Sequence, residues 1–375
     1  MHVDERGVVF CFAYDDVRAI LRDAGRTTME RARSLAGVPG AGSRAAPPTF
    51  PLALINRDAP DHTRLRRLFS KAFTPRNIDV LAASMDRQVD ALLDALEQEQ
   101  HETGEPVDLV AGLAFNLPFR VISEMLGMPD ADDARIRNLA RDVSAASDPV
   151  VTKEKLATAV GAYRELSELV TSEVLPWKRR NPADDLLTVL LAATDDGTLT
   201  ADELLDNVTL LYVAGHETTS GLIGNAVLNL LLHRRELERL HDEPALLPNA
   251  IEELNRYESS IQLAWRYVVD DLSVRDVVIP RGAMVFVCVA SANRDPQHFG
   301  ESADRVDLTR ADASDHLSFG SGLHFCLGAP LARTEATIAI GTLLRRFPNL
   351  VLAAEPRWNR RVTFRSLEQL CVSLA

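Results

Sequence analysis

Phe319-Gly320-Ser321-Gly322-Leu323-His324-Phe325-Cys326-Leu327-Gly328 is the stretch around which the rest of the chain reads. It sets one cysteine in a glycine-bearing loop directly ahead of a helical run, Ala329 to Arg345. Glycine has no Cβ, so Gly320, Gly322 and Gly328 let the backbone turn tightly and approach a flat partner closely. A cysteine beside a helix N-terminus lies in a field that favours the thiolate, the form that ligates metals. A lone cysteine is more often an inert core residue. The joint spacing Phe-Gly-x-Gly-x-His-x-Cys-x-Gly therefore carries more weight than Cys326 alone.

Upstream, Thr200-Ala201-Asp202-Glu203 is a capping box, and it opens a helix predicted to run to about Leu232. At 1.5 Å per residue that helix is roughly 48 Å long. Residues such as Leu204, Val208, Leu211, Leu222 and Val227 make it apolar on most faces, so it should cross the core. Ala214-Gly215-His216-Glu217-Thr218-Thr219-Ser220-Gly221 breaks that pattern. Polar groups inside a buried helix are costly unless they are paired or used. Thr218 can bond back to the Ala214 carbonyl and Gly215 tolerates distortion, which predicts a kinked helix holding a water or small molecule. A plain polar face at a helix bend would have the same composition.

Three further features need a partner. Asp61 to Lys71 reads as a helix with His62 and Arg66 on one face and Arg64, Arg67 and Lys71 on another. Two cationic faces on a chain of net charge −13 ask for two anionic partners. Glu253 and Arg256 stand at i and i+3 of a helix, weak as a surface pair and a fixed clamp if buried. Arg266 sits in a strand-like run, Leu263 to Val269, where an arginine among apolar neighbours needs an anion.

The remaining pattern is mainly helical with a small β region. Helices are expected over Asp15–Leu21, Asn77–Glu97, Val107–Leu126 (interrupted by Pro118), Ala131–Val150, Lys153–Trp177 and a run opened by Pro182. Strands are expected near residues 7–12, 260–290 and 350–375. The Gly- and Pro-rich stretch Ala36 to Pro51 reads as a loop able to roof a pocket. No internal boundary splits the 375 residues, so one domain over 1–375 is expected. Net charge −13 argues against nucleic acid. The four cysteines are far apart, with no Cys-x-x-Cys pair, which argues against a disulfide framework or zinc knuckle. No run of about 18 apolar residues marks a membrane span, and the charged start Met1-His2-Val3-Asp4-Glu5-Arg6 shows no secretory signal. A cytoplasmic protein is the expectation.

The order of these parts resembles the cytochromes P450, specifically the soluble bacterial class, over roughly residues 7 to 375. The resemblance implies the cytochrome P450 fold, with the long helix crossing a heme b whose iron takes Cys326 as its thiolate ligand. It implies that Phe319, Gly320, Leu323 and Gly328 surround that ligand. It makes His62, Arg66, Arg266 and His324 the cations for the heme propionates, and Glu253 with Arg256 a structural clamp. Ala214 and Gly215 would lie against the distal heme face, while Glu217 and Thr218 match the acid–alcohol pair that delivers protons to bound dioxygen.

The implied activity is that of a monooxygenase oxidising a small organic or secondary-metabolite substrate with O2. Two electrons would come from NAD(P)H through a ferredoxin reductase and ferredoxin, with Arg64, Arg67 and Lys71 as the ferredoxin docking site. Oxidative cross-linking of a peptide or other large substrate is the alternative within the enzyme class, and a non-catalytic heme-thiolate sensor the alternative outside it. A monomer is expected. Asn207, Leu211, Ala214, Ile261 and Trp265 are candidate substrate contacts. Departures from the family pattern are a short N-terminus, Ser259-Ser260-Ile261 where Ser-Pro is usual, the bulky Trp265, and Ser366 and Cys371 where Gly and Pro are frequent.

Overall fold

The structure, a computed structural model, describes residues 1–3, 8–36, 50–128, 133–148 and 151–374. The helix Ala201–Leu232 is its axis. Thr200 caps it: the Thr200 side chain accepts from the Glu203 N–H, and Glu203 accepts in return from the Thr200 N–H. Most of its residues are buried, and it packs against helices Asn116–Leu126, Ala329–Arg346, Asp133–Ser144 and Leu247–Tyr257. A helix apolar on nearly every side is stable only with neighbours all around it. The predicted kink is absent as a break, because helical hydrogen bonding continues unbroken from 201 to 232.

Around this axis lies one large apolar cluster running from Phe50 to Val372 in sequence. A second, smaller cluster joins Tyr14–Arg22 to a five-stranded sheet. In that sheet the order is His2–Val3, Val9–Cys11, Met284–Cys288, Leu263–Val268, Thr27–Thr28. Val9–Cys11 runs parallel to Met284–Cys288, and the other neighbours are antiparallel. No helix is long and apolar enough to cross a membrane among the described residues.

Several expected boundaries move. Asn77–Glu97 lengthens to Pro75–Thr103, with Thr74 as cap and Pro75 in the first turn, where its missing N–H has no intrahelical partner to lose. The interruption assigned to Pro118 is misplaced for the same reason. The break comes earlier, at a wide turn over Val110–Ala114, and Pro118 lies in the first turn of Asn116–Leu126. Lys153–Trp177 divides at a second wide turn, Val170–Val174. Most of the stretch Ala36 to Pro51, read as a possible roof, lies outside the described residues.

Candidate functional site

The cysteine loop is closed by its own backbone. The Cys326 N–H donates to the Phe319 carbonyl at 2.8 Å, and Phe325 N–H to Gly322 at 3.1 Å. Gly322 has φ +73°, and a Cβ there would stand 2.9 Å from Arg22 Cα and Leu21 O, so no other residue fits without moving the helix Tyr14–Arg22. Cys326 itself is exposed, yet protein crowds its thiol enough that burial pushes the pKa up. N–H groups of Gly328 and Ala329 and the charges of Arg66 and Arg333 oppose that rise. Phe319 is half-buried beneath the Arg333 guanidinium, 4.5 Å from its ring.

The helix Asp61–Phe69 brings two of the predicted cations to this loop. Arg66 Nη1 donates to the carbonyls of Phe325 (2.9 Å) and Leu323 (3.3 Å), so it fastens the loop backbone itself. His62 is buried with its ring 4.6 Å from that of His324, and its Nδ1 has no partner. Burial, reinforced by the nearby His324 and Arg66 charges, pulls His62 down to about 4. Burial also lowers His324, whose Nε2 lies 3.6 Å from Asp58. Arg266 is 6% exposed, and its acceptors are the Trp265 carbonyl at 2.8 Å and the Met29 sulfur at 3.2 Å. Burial pulls it to about 10, against the opposing charge of Asp58. A buried guanidinium held by a thioether is a poorly matched cation. Together with the orphaned His62 nitrogen it fits the carboxylates of a heme.

The long helix presents Ala214, which is exposed in the middle of a buried helix, next to half-buried Leu211, Gly215, Glu217 and Thr218. Thr218 Oγ1 donates to the Ala214 carbonyl at 2.7 Å. Glu217 pairs with Arg361. His216 turns the other way, into an aromatic cage of Phe115 and Phe119, where burial holds its pKa near 4.

The clamp is fully buried: Arg256 Nε and Nη2 donate to Glu253 at 2.6 and 2.8 Å. Arg256 also donates to the carbonyls of Asn293, Ala303 and Arg305. The Asn293 side chain then receives Leu317 N–H and donates to Ser318, the residues that lead into the cysteine loop.

Three expected contacts go elsewhere. Asn207 is buried and fully used, accepting from Leu54 N–H at 2.8 Å and donating to the Glu203 carbonyl at 2.7 Å, so it fixes the segment near Leu54. Trp265 lies on the strand face opposite Arg266, since side chains alternate along a strand, and packs with Leu263, Phe286 and Cys288. Arg64 is drawn from the docking face to Glu203 and the Thr198 carbonyl (2.8 Å), leaving Arg67 and Lys71 exposed there. Ile261 sits at the rim, bridged to Phe364. Sequence reading missed Asp58, Met29 and Arg361. Each acts through partners far away in the chain, with no local pattern to mark it.

This helical architecture and its cysteine loop are those of a heme-thiolate oxidoreductase, and the family model for Cytochrome P450 matches residues 1–362. The chain belongs to the cytochrome P450 family. It is 42% identical to cytochrome P450 107B1 of Saccharopolyspora erythraea, covering 96% of this chain and 87% of that protein. It is 39% identical to the polyketide biosynthesis cytochrome P450 PksS of Bacillus subtilis, over 86% of this chain and 78% of the relative. The crystal structure of CYP109E1 from Bacillus megaterium in complex with testosterone superposes with a TM-score of 0.89 at 32% identity, covering 100% of this chain and 94% of that one.

Proposed function

We propose that this P450 inserts one oxygen atom of O2 into a small secondary-metabolite substrate, with two electrons from a ferredoxin and two protons completing the reduction of the second atom to water. Relatives in bacterial secondary metabolism support the substrate class. The heme, when bound, supplies the redox chemistry at a thiolate-held iron. Cys326 is the ligand in this reading. Phe319, Gly320, Leu323 and Gly328 shape the loop around it. Arg266 supplies positive charge, and His324 and His62 supply ring N–H donors, to the heme carboxylates, while Arg66 secures the loop. Ala214 and Gly215 leave room beside the reacting face, where Leu211 and Ile261 flank the substrate.

The observation that carries the reading is the pair Glu217–Thr218 at the exposed notch of a helix that is otherwise buried. A carboxyl and a hydroxyl adjoining one another can pass a proton inward from solvent. Arg67 and Lys71 form the cationic surface offered to an acidic ferredoxin.

A carbon monoxide difference spectrum of the reduced protein tests the ligand, because a red-shifted Soret band requires a thiolate. Thr218→Ala tests the proton route. The expected result is product falling while peroxide rises at similar electron consumption. Unchanged product per electron pair would remove Thr218 from the route. Mass analysis of the product separates oxygen insertion from oxidative cross-linking.

A further inference from the structure

Two adjacent carboxylates on the helix Leu247–Tyr257 go to different partners. Glu253 turns to Arg256 in the clamp, while Glu252 reaches the helix Ala329–Arg346 that follows Cys326. Arg333 on that helix donates from Nε and Nη2 to the two oxygens of Glu252, at 2.6 and 2.7 Å. The same guanidinium lies over the Phe319 ring, 4.5 Å from its centroid. His316 is buried beside the same carboxylate. Its Nδ1 accepts from the Ser318 N–H at 3.1 Å, and its Nε2 stands 3.3 Å from Glu252 Oε2 without forming a hydrogen bond. The His316 and Phe319 rings are 5.5 Å apart. Phe319, whose carbonyl receives the Cys326 N–H, is thus flanked by a cation and an imidazole that share one anion.

Support of the fold is a poor explanation for this arrangement. Arg333 is 34% exposed, and an ion pair open to water contributes at most about 1 kcal/mol. A guanidinium fork bound at two nitrogens and stacked on a ring is instead held in one place. That place matters electrically, because Arg66 and Arg333 are the two cations whose charge reaches Cys326. Arg66 is engaged with loop carbonyls, whereas Arg333 carries its own counter-charge. Burial opposes ionisation of Glu252, yet the Arg333 hydrogen bond and the adjacent His316 hold it down at about 2, so it is an anion at neutral pH.

We propose that Arg333 and Glu252 are a positioning pair that sets the reduction potential of the thiolate-held iron. Arg333 puts positive charge against the ring beside the ligand, which favours the more negative, reduced form. Glu252 keeps the fork over Phe319 and cancels part of its field. Neither residue touches iron, heme or substrate in this account. They act through Phe319 and Cys326, and the inference rests on the reading of Cys326 as the ligand.

The test needs no substrate. Heme-loaded wild type, Arg333→Met, Arg333→Lys and Glu252→Gln are titrated with dithionite in the presence of mediator dyes, and the Soret band reports the reduced fraction. Arg333→Met is expected to lower the reduction equilibrium constant about 5-fold, which is about 41 mV at 59 mV per tenfold for one electron. Glu252→Gln should raise it about 3-fold, about 28 mV on the same scale. The opposite signs separate charge from structure. Both changes break the same ion pair, so a merely structural pair would move the potential one way for both. Arg333→Lys, which keeps the charge without the fork, should fall between wild type and Arg333→Met. Shifts of one sign in Arg333→Met and Glu252→Gln, or an Arg333→Met constant within about 1.5-fold of wild type, overturn the proposal. Should Arg333→Met not retain heme, Glu252→Gln decides alone, and a constant at or below that of wild type counts against it. A wild type lacking the red-shifted band with carbon monoxide removes the ligand reading first, and the proposal with it.

Discussion

Replacing Arg256 by methionine tests how the buried clamp supports the cysteine loop. Five hydrogen bonds leave this guanidinium: two to Glu253, and one each to the carbonyls of Asn293 (2.7 Å), Ala303 (2.7 Å) and Arg305 (3.0 Å). Glu253 is not orphaned by the change, because Arg310 Nε remains 3.2 Å from it and Asp307 N–H 2.9 Å. The loss therefore comes mainly from three carbonyls stripped of a donor, at about 1–3 kcal/mol each before relaxation. A net destabilisation of about 3–5 kcal/mol is expected, a large share of a total stability of about 5–15 kcal/mol. Glu253→Leu should be worse, since it leaves Arg256 buried with no counter-anion and frees the Asp307 N–H as well. The double variant should recover part of that loss through a favourable coupling of about 1–3 kcal/mol. Urea unfolding followed by tryptophan fluorescence gives these differences, and transfer of heme to apomyoglobin reports the loop, which Asn293 connects to the clamp. If Arg256→Met lies within about 1 kcal/mol of wild type, or Glu253→Leu is the milder change, the clamp argument is wrong.

Arg266→Met should stabilise the heme-free protein by up to about 3 kcal/mol, because burial holds the guanidinium down at about 10 and makes its charged form costly, while speeding heme loss from the loaded protein. The sign is fixed by a depressed base: its cost is complete below pH 10, so it acts unchanged at pH 7, and thermal melts of both forms read it. His216, held near 4 by burial, takes up a proton more readily when unfolded, so stability should fall as pH drops from 6.5 toward 4. His216→Phe should flatten that limb of the urea midpoint against pH. Arg67→Glu should raise the apparent ferredoxin KM several-fold and weaken its salt dependence. Arg64→Glu should instead lower the melting temperature, because it sets a second carboxylate against Glu203.

What the sequence made legible was local. The capping box, the Glu253–Arg256 spacing and the cysteine loop each lie within ten residues, where helix and turn geometry fix which side chains meet. Prolines misled where only position within the turn decides their effect, as at Pro118. The two wide turns at 110–114 and 170–174 have no compositional mark at all. Arg64 and Trp265 were placed on the right elements, but the partner that claims each side chain, Glu203 across the basic helix or the outer cluster behind the strand, is set by packing.

The two sides of the site consequently differ in how they are specified. The cysteine side is made of short motifs that fasten one another: Arg66 on the loop carbonyls, Asn293 on the approach to the loop, Arg256 on Asn293. Such a nest tolerates little change, because Arg256 and Asn293 are buried and each loss strands an acceptor. The rim around Glu217 is likewise held by contacts between distant segments, Glu217 with Arg361 and Thr363 with Ser147 among them, but has no short motif behind them. Those contacts leave helix and strand periods untouched, so the rim can change its side chains without changing the fold. Side chains at the rim therefore have room to vary while Cys326 stays where the loop holds it.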